Sequence, residues 1–349
     1  MANGAFTEFG SGDIINSIDS TTGTLWSDNQ PRLTEMFTSS VQNASNSGQY
    51  YIHVYQTAST LTNAAVQFDI AFADENGSGS LDYNSLVPGK SPSSTIFGQY
   101  QNIALGDDTD PFIFGDFTGS YFYALAIERA RYKESLALGV MSLSLKKGSD
   151  QITLTDNSNI STGNVFGNAG RVYQVVSGSE GTVYTGFNSN GFTPRSGSYG
   201  LFLPDVGLVL LNGAALDGAN SISVDGGISL GTLRASNTNN ANMGRLNTAI
   251  SESLVASRPF RLNSQETLAS DFYFVRAQNS EFNYSSNPSF VSGSTGQLLF
   301  PTMYNNPQTF ITSVGLYNGA NELCAIAKLS RPLVKDFTKE LLVRVKLDY

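Results

Sequence analysis

Residues 74–82 read Asp-Glu-Asn-Gly-Ser-Gly-Ser-Leu-Asp. Asp74, Asn76, Ser78 and Asp82 fall at positions 1, 3, 5 and 9 of a calcium loop, with Gly79 at position 6. Position 12, however, is Ser85 where the bidentate glutamate belongs. A strand pattern also precedes the loop where a helix should stand, so a Gly/Ser hairpin loop is the better reading. Hydrolytic chemistry has one histidine to work with, His53, set mid-strand between Tyr51 and Tyr55. A packed or surface strand histidine is the simpler account of it. A zinc centre built on His53 and Cys324 lacks two further ligands. The chain has no GxSxG elbow, P-loop or dinucleotide fingerprint. Its 29 acidic residues allow carboxylate pairing in three dimensions, but nothing singles out a pair. The expectation is a protein that is not an enzyme and takes no cofactor.

At 349 residues the chain can bury a large core, as one large or two medium domains. Charged residues make up 14%, against a usual quarter, while aromatics reach 11%. That combination describes a Gly/Asn-punctuated β-protein instead of a disordered one. A surface poor in charge fits one covered by neighbouring subunits, and equally an ordinary polar β-rich surface. With a net charge of −9 and no basic run longer than Lys146-Lys147, nucleic acid is not the expected partner. No apolar run has membrane-spanning length, and the start lacks a signal-peptide pattern, so neither a membrane nor secretion is expected. The single cysteine excludes an internal disulfide framework and fits synthesis in a reducing cytoplasm.

The elements follow from periodicity. Residues 50–56 and 66–73 alternate as amphipathic antiparallel strands. The apolar run 120–128 reads as a central strand. Leu33, Met36, Phe37 and Val41 stand at helical spacing over 29–41, with Pro31 in the first turn. Ser91 as cap, Pro92 at the first position and Gly106 as left-handed stop predict a helix from 92 to 105. From residue 157 short strands, among them 171–176, 182–187, 199–203, 207–211 and 228–233, are separated by turns in a sandwich or barrel rhythm. A helix over 239–257 interrupts them, its stripe Met243, Leu246, Ile250 and Leu254. Near the end, Asn318-Gly319-Ala320-Asn321 joins two strand patterns as a hairpin, and residues 341–349 alternate as a closing strand.

The expected fold is mainly β: an antiparallel sandwich-like domain completed by the C-terminal strands, with an inserted second β-domain and a few short helices. The expected division is 1–45 as N-terminal arm and short helix, 46–158 plus 300–349 as a discontinuous β-sandwich domain, and 159–299 as the insert. In that arrangement residues 341–349 close the interrupted domain, and removing them would unfold the chain. Residues 1–27 are expected to order only against a partner, with Trp26 as their anchor. Further interface candidates are Arg129, Arg131 and Tyr132, in the densest charge cluster, and Phe282, Tyr284 and Phe290, in an aromatic loop.

Four stretches carry a resemblance: SSTIFGQYQNIALGDD (93–108), ALAIERARYKESLALG (124–139), RLNSQETLASDFYFVRAQNSEFNYSSNPSF (261–290) and the run from 311 to 349. Together they resemble virion structural proteins of T4-like, cyanophage-type tailed phages. More loosely, 31–56 and the closing strand are similar to the baseplate-wedge dimer proteins of that group. The resemblance implies a structural subunit of a contractile tail, in its baseplate wedge, made in the host cytoplasm. The implied partners are other tail and baseplate proteins and a second copy of the chain. The alternatives are a receptor- or glycan-binding tail protein and a capsid or neck component.

Overall fold

The computed structural model describes residues 7–38, 50–80, 83, 86, 91–107, 109–115, 117–166, 169–184, 199–218, 227–234, 241–285 and 287–349. Val41, Asp82, Ser85 and residues 185–187, all used in the expectations above, lie outside them. Among the described residues the chain is mainly β with three short helices, and it divides into two compact units. One comprises Thr21–Glu266; the other joins Met1–Ser20 to Thr267–Tyr349.

The first unit is built on a large antiparallel sheet. Its strands are β2 (Phe37–Thr38), β3 (Tyr51–Tyr55), β4 (Val66–Asp74), β7 (Tyr121–Ile127), β9 (Leu143–Lys147), β10 (Asp150–Asp156), β11 (Asn164–Phe166), β12 (Gly170–Ser179), β13 (Thr182–Val183), β14 (Gly200–Leu203) and β15 (Leu208–Asn212). The order across it is β2-β3-β4-β7-β15-β14-β12-β10-β9, with β11 and β13 paired to β12. Helix α1 (Pro92–Leu105) and the small ribbon of β5 (Phe112–Phe114) and β6 (Phe117–Gly119) supply one covering layer. The short α2 (Gly213–Asp217) follows β15, and α3 (Ala241–Val255) packs on β9 and β4.

Both faces of the central strands are buried, which is why β7 and β15 read as continuous apolar runs. Tyr123, Leu125, Ile127, Val209 and Leu211 join the core beneath α3. Phe122, Ala124, Leu208 and Leu210 alternate with them into the core beneath α1. On that second face Ala71 stands opposite Ala124, and such small side chains let a helix approach closely. Phe97 of α1 then meets Phe112 and Phe122 with ring centroids 5.4 Å away from each. The helix begins and ends as its sequence predicts. The Ser91 N–H donates to Ser94 Oγ at 3.2 Å. Gly106, at φ +78°, donates to the Asn102 carbonyl. Helix α3 buries Met243, Leu246, Ile250 and Leu254 as expected.

Several expectations are corrected here. Residues 30–38 are not helical, and Asn29 only ends a single 3-10 turn, Ser27–Asn29. Asp28 and Asn29 take left-handed φ values of 58° and 54° where the helix would begin. Leu33, fully buried, exchanges both backbone hydrogen bonds with Phe260, and β2 pairs with β3. Residues 228–233 form no strand. Side chains replace a partner strand there: Asp217 accepts from the Thr232 N–H, and Asn242 accepts from and donates to Leu233. The expected boundary at 158/159 does not divide the sheet, because β10 pairs with β12 and β15 pairs with β7. The strands on either side of it share the same two cores, so neither side can bury its faces alone.

The second unit holds most of β1 (Ile14–Thr24) and β16 (Asn263–Ala277), with β17 (Thr309–Tyr317), β18 (Leu323–Lys335) and β19 (Leu341–Asp348). The order is β1-β16-β19. Residues expected as an arm therefore form a strand, and the closing strand pairs with β16, not with the sheet of residues 46–158. Short β8 (Ser135–Leu136) pairs with Ser264 and Gln265, residues of β16 that belong to the first unit. β17 and β18 form a separate two-stranded ribbon. Its turn is set by Asn318, whose Oδ1 accepts from the Ala320 and Glu322 N–H groups, and by Asn321 at φ 60°.

Candidate functional site

In the Thr21–Glu266 unit the predicted chemistry is spent on holding the fold. The carboxylate of Asp74 is fully buried. Its Oδ1 accepts from the N–H groups of Asn76 and Ser78, and its Oδ2 accepts from Arg234 Nε at 2.7 Å. Arg234 in turn lies 4.2 Å over the Tyr121 ring. Both oxygens of Asp74 are thus engaged within the chain, and no metal-binding cluster stands among the described residues. Removing the carboxylate leaves the buried Ser78 N–H without its acceptor and takes the partner from the half-exposed Arg234, each at a cost on the order of 1–3 kcal/mol. Asp74→Ala should therefore lower stability by about 3 kcal/mol in urea unfolding followed by Trp26 fluorescence. Calcium should leave the wild-type midpoint unmoved; a calcium-dependent rise would restore the loop reading.

His53 stands directly opposite Asp69 on the neighbouring strand, Nδ1 to Oδ1 2.5 Å. Burial pushes the Asp69 carboxyl up, against the lowering effect of His53. The phenol of nearby Tyr100 is pushed up to about 12, by burial first and by the charge of Asp69 second. The pair is half-buried and ties β3 to β4.

Trp26 was expected to anchor a free arm; it is instead part of the core. It is 2% exposed, its ring 5.1 Å from Phe260 and 6.3 Å from Phe68. The cluster around residue 130 is likewise a folded corner. Arg131 donates to Ser27 Oγ at 2.9 Å, and Tyr132 is buried over Gly207. A β-carbon on Gly207 would come within 2.7 Å of that ring, and its φ of +71° also favours glycine. Arg129 is exposed, but its guanidinium lies 4.6 Å over the Tyr132 ring and donates to the Tyr132 carbonyl. Trp26 and Tyr132 are thus packed inside the unit, and Arg131 is bonded to Ser27 within the chain.

The remaining candidates, Phe282, Tyr284 and Phe290, lie in the second unit on a turn held by a buried lysine. Lys335, fully buried at the end of β18, donates to the Asn279 carbonyl, to Asn283 Oδ1 at 2.8 Å and to the Asp336 carbonyl at 2.8 Å. Three donors meet three oxygens, so the ammonium is satisfied without a carboxylate. Thr309 Oγ1 donates to the Phe282 carbonyl, and Asn283 Nδ2 donates to the Asn279 carbonyl. Phe282 is thereby held at φ 53°, a conformation that costs a bulky residue on the order of 1–3 kcal/mol. Beside it, Tyr284 is 64% exposed, its ring 6.1 Å from Phe290. Next to the clamp, the hydroxyl and N–H of Thr338 hold the Asp336 carboxyl below the usual carboxylate range.

The second exposed surface is the β17–β18 ribbon, a hairpin expected from residues 318–321 but not expected to be exposed. Gly315 stands opposite Ile326 and Tyr317 opposite Leu323, which puts Tyr317, Leu323 and Ile326 on one face. They are 44%, 48% and 60% exposed, and Phe310 further along is 57% exposed. Cys324 between them is exposed and free. No third strand pairs with the ribbon among the described residues. Comparison of the chain with protein families, curated proteins and solved structures returns no match.

Proposed function

We propose that the protein is a structural subunit of a tailed-phage virion, placed in the baseplate of a contractile tail, and that it acts by binding neighbours and not by catalysis. The reading rests on the four resembling stretches and on one structural observation, the β17–β18 ribbon. Two strands alone are marginal in water, and this pair turns Tyr317, Leu323 and Ile326 outward on one face. Contiguous apolar surface of that kind marks a contact surface. Covering it with a neighbouring subunit gains roughly 25 cal/mol for each Å² of apolar area removed from water.

Cys324 gives a direct test, because it is the only cysteine and lies on the ribbon. In the free protein a maleimide should modify it readily. In intact phage particles the rate should fall at least about tenfold, which corresponds to about 1.4 kcal/mol of protection. Equal rates in particle and free protein would remove the ribbon from the interface.

A second reading has its own support. The exposed Tyr284 beside Phe290, on a turn preformed by Lys335, is a stacking surface of the kind a sugar ring uses. On that reading the chain is a receptor- or glycan-binding tail protein. A glycan array with the full chain separates the two: specific binding abolished by Tyr284→Ser favours the glycan reading, and no binding favours assembly.

A further inference from the structure

Charge is divided unevenly along the chain. Residues 1–128 hold 14 acidic and 2 basic side chains, a net of −12; residues 129–349 hold 15 acidic and 18 basic, a net of +3. The acidic half has a focus just after α1, where the sequence carries three aspartates, 107, 108 and 110, within four residues. Asp107 and Asp110 are exposed and form no ion pair among the described residues. Two hydrogen bonds from Thr109 to Asp107 Oδ1, at 2.7 Å each, hold that carboxyl below its ordinary range, so it stays ionised. Asp110 also lines a cleft of about 560 Å³ with Leu105, Ile113, Asn157 and Tyr173. The site is therefore an acidic rim on a partly apolar recess.

The basic half has its focus at the other end of the sequence. Residues 323–349 carry six basic side chains, Lys328, Arg331, Lys335, Lys339, Arg344 and Lys346, against Asp336, Glu340 and Asp348. Lys335 is buried, but Lys328, Arg331, Arg344 and Lys346 are exposed on strands β18 and β19. Lys328, Arg331 and Arg344 form no ion pair among the described residues. On β19 the cations come with apolar neighbours. Phe272 stands opposite Lys346, and Phe274 opposite Arg344, so all four share one face with the exposed Leu342. The Arg344 guanidinium lies 5.4 Å from the Phe272 ring centroid, and the Lys346 ammonium 5.8 Å from it. Arginine and aromatic side chains together are the composition of an interface anchor.

We propose that copies of this chain associate head to tail, the Arg344–Lys346 face of β19 on one copy docking against the acidic Asp107–Asp110 turn of the next. The two surfaces differ in sequence, so the contact is heterologous and each docked copy still presents one free surface of each kind. Such a contact builds rings or open stacks instead of closed pairs. It would make a multicopy subunit from a single chain, whichever particle holds it, and it does not depend on the phage reading. Complementary charge steers the encounter and makes the association fall with salt, since the Debye length shrinks from about 10 Å at 0.1 M to about 3 Å at 1 M.

Two charge-reversed variants of the full chain test the proposal by native mass spectrometry and sedimentation: Arg344→Glu with Lys346→Glu, and Asp107→Lys with Asp110→Lys. All four side chains are exposed, and circular dichroism checks that each variant is folded. The wild type is expected to form higher species at low salt, its association constant falling at least about tenfold between about 0.1 M and about 1 M salt. Each variant alone should be monomeric. Mixed one to one they should associate again, because the intact acidic turn of one variant meets the intact cationic face of the other and the two reversed surfaces are complementary as well. A wild type that is monomeric at every salt concentration overturns the proposal. So do variants that associate as the wild type does, or a mixture that stays monomeric.

Discussion

Lys335→Met should lower the stability of the C-terminal unit by about 3 kcal/mol and free the aromatic turn, while the Thr21–Glu266 unit is unaffected. Methionine fills much of the same space but donates nothing, so the Asn283 Oδ1 and Asp336 carbonyl acceptors lose their partner inside the protein. Each buried acceptor left unpaired costs on the order of 1–3 kcal/mol. The Asn279 carbonyl keeps one donor, Asn283 Nδ2 at 2.7 Å, which limits the total. Because Phe282 sits in a left-handed conformation it does not favour, loss of the clamp should let residues 278–284 relax. Hydrogen exchange would show faster labelling at 278–284 and along β17, whose Thr309 bonds the Phe282 carbonyl. Trp26 emission would stay as in the wild type. Unchanged exchange in the turn would mean that Lys335 is buried without clamping anything.

Removing residues 341–349 is the second large effect, and the structure changes what it should do. The alternation of these residues leads to the expectation that the whole chain unfolds without them. In the structure β19 pairs with β16 over eight residues, Ser270–Ala277 against Leu341–Asp348, and belongs to the smaller unit. Truncation removes the half-buried Leu341, Val343 and Leu347 and the buried Val345, and exposes the free edge of β16. The expected result is loss of exchange protection across β16, β17 and β18, with Trp26 still shielded among Phe68 and Phe260. A red-shifted, solvent-exposed Trp26 would contradict this account, and so would full protection throughout both units.

The parts of the fold that are local in origin can be read from the residues. Ser91, Pro92 and Gly106 set both ends of α1, because capping involves groups at most a few positions apart. Alternation identifies β3, β4 and β19, and the unbroken apolar run of β7 marks a strand covered on both faces. Strand partners are another matter. β7 meets β15 across more than eighty residues, and β16 meets β19 across more than sixty. Alternation says which face of a strand is buried and nothing about which strand lies beside it. The false helix at 29–41 has the same cause. Leu33, Met36 and Phe37 match a helical stripe, yet Leu33 is recruited as a bridge to Phe260, more than two hundred residues away.

The candidate site was partly legible. Phe282, Tyr284 and Phe290 stand out as aromatics in a polar loop, and two of them, Phe282 and Tyr284, are exposed. Trp26 and Tyr132 do not differ from them in composition, and only packing shows that they are interior. The Lys335 clamp was not legible, because a lysine after Leu333 and Val334 acquires meaning only from oxygens 52 and 56 residues earlier in the chain.

The proposed role, a building block of a phage tail, is decided by the location of the chain in an intact particle. Cryo-electron microscopy of particles from a phage that encodes the chain should place it at the baseplate. It should appear in several copies, with the β17–β18 ribbon covered by a neighbouring protein. Finding the chain in the head shell, or finding the ribbon bare in every copy, would contradict the account.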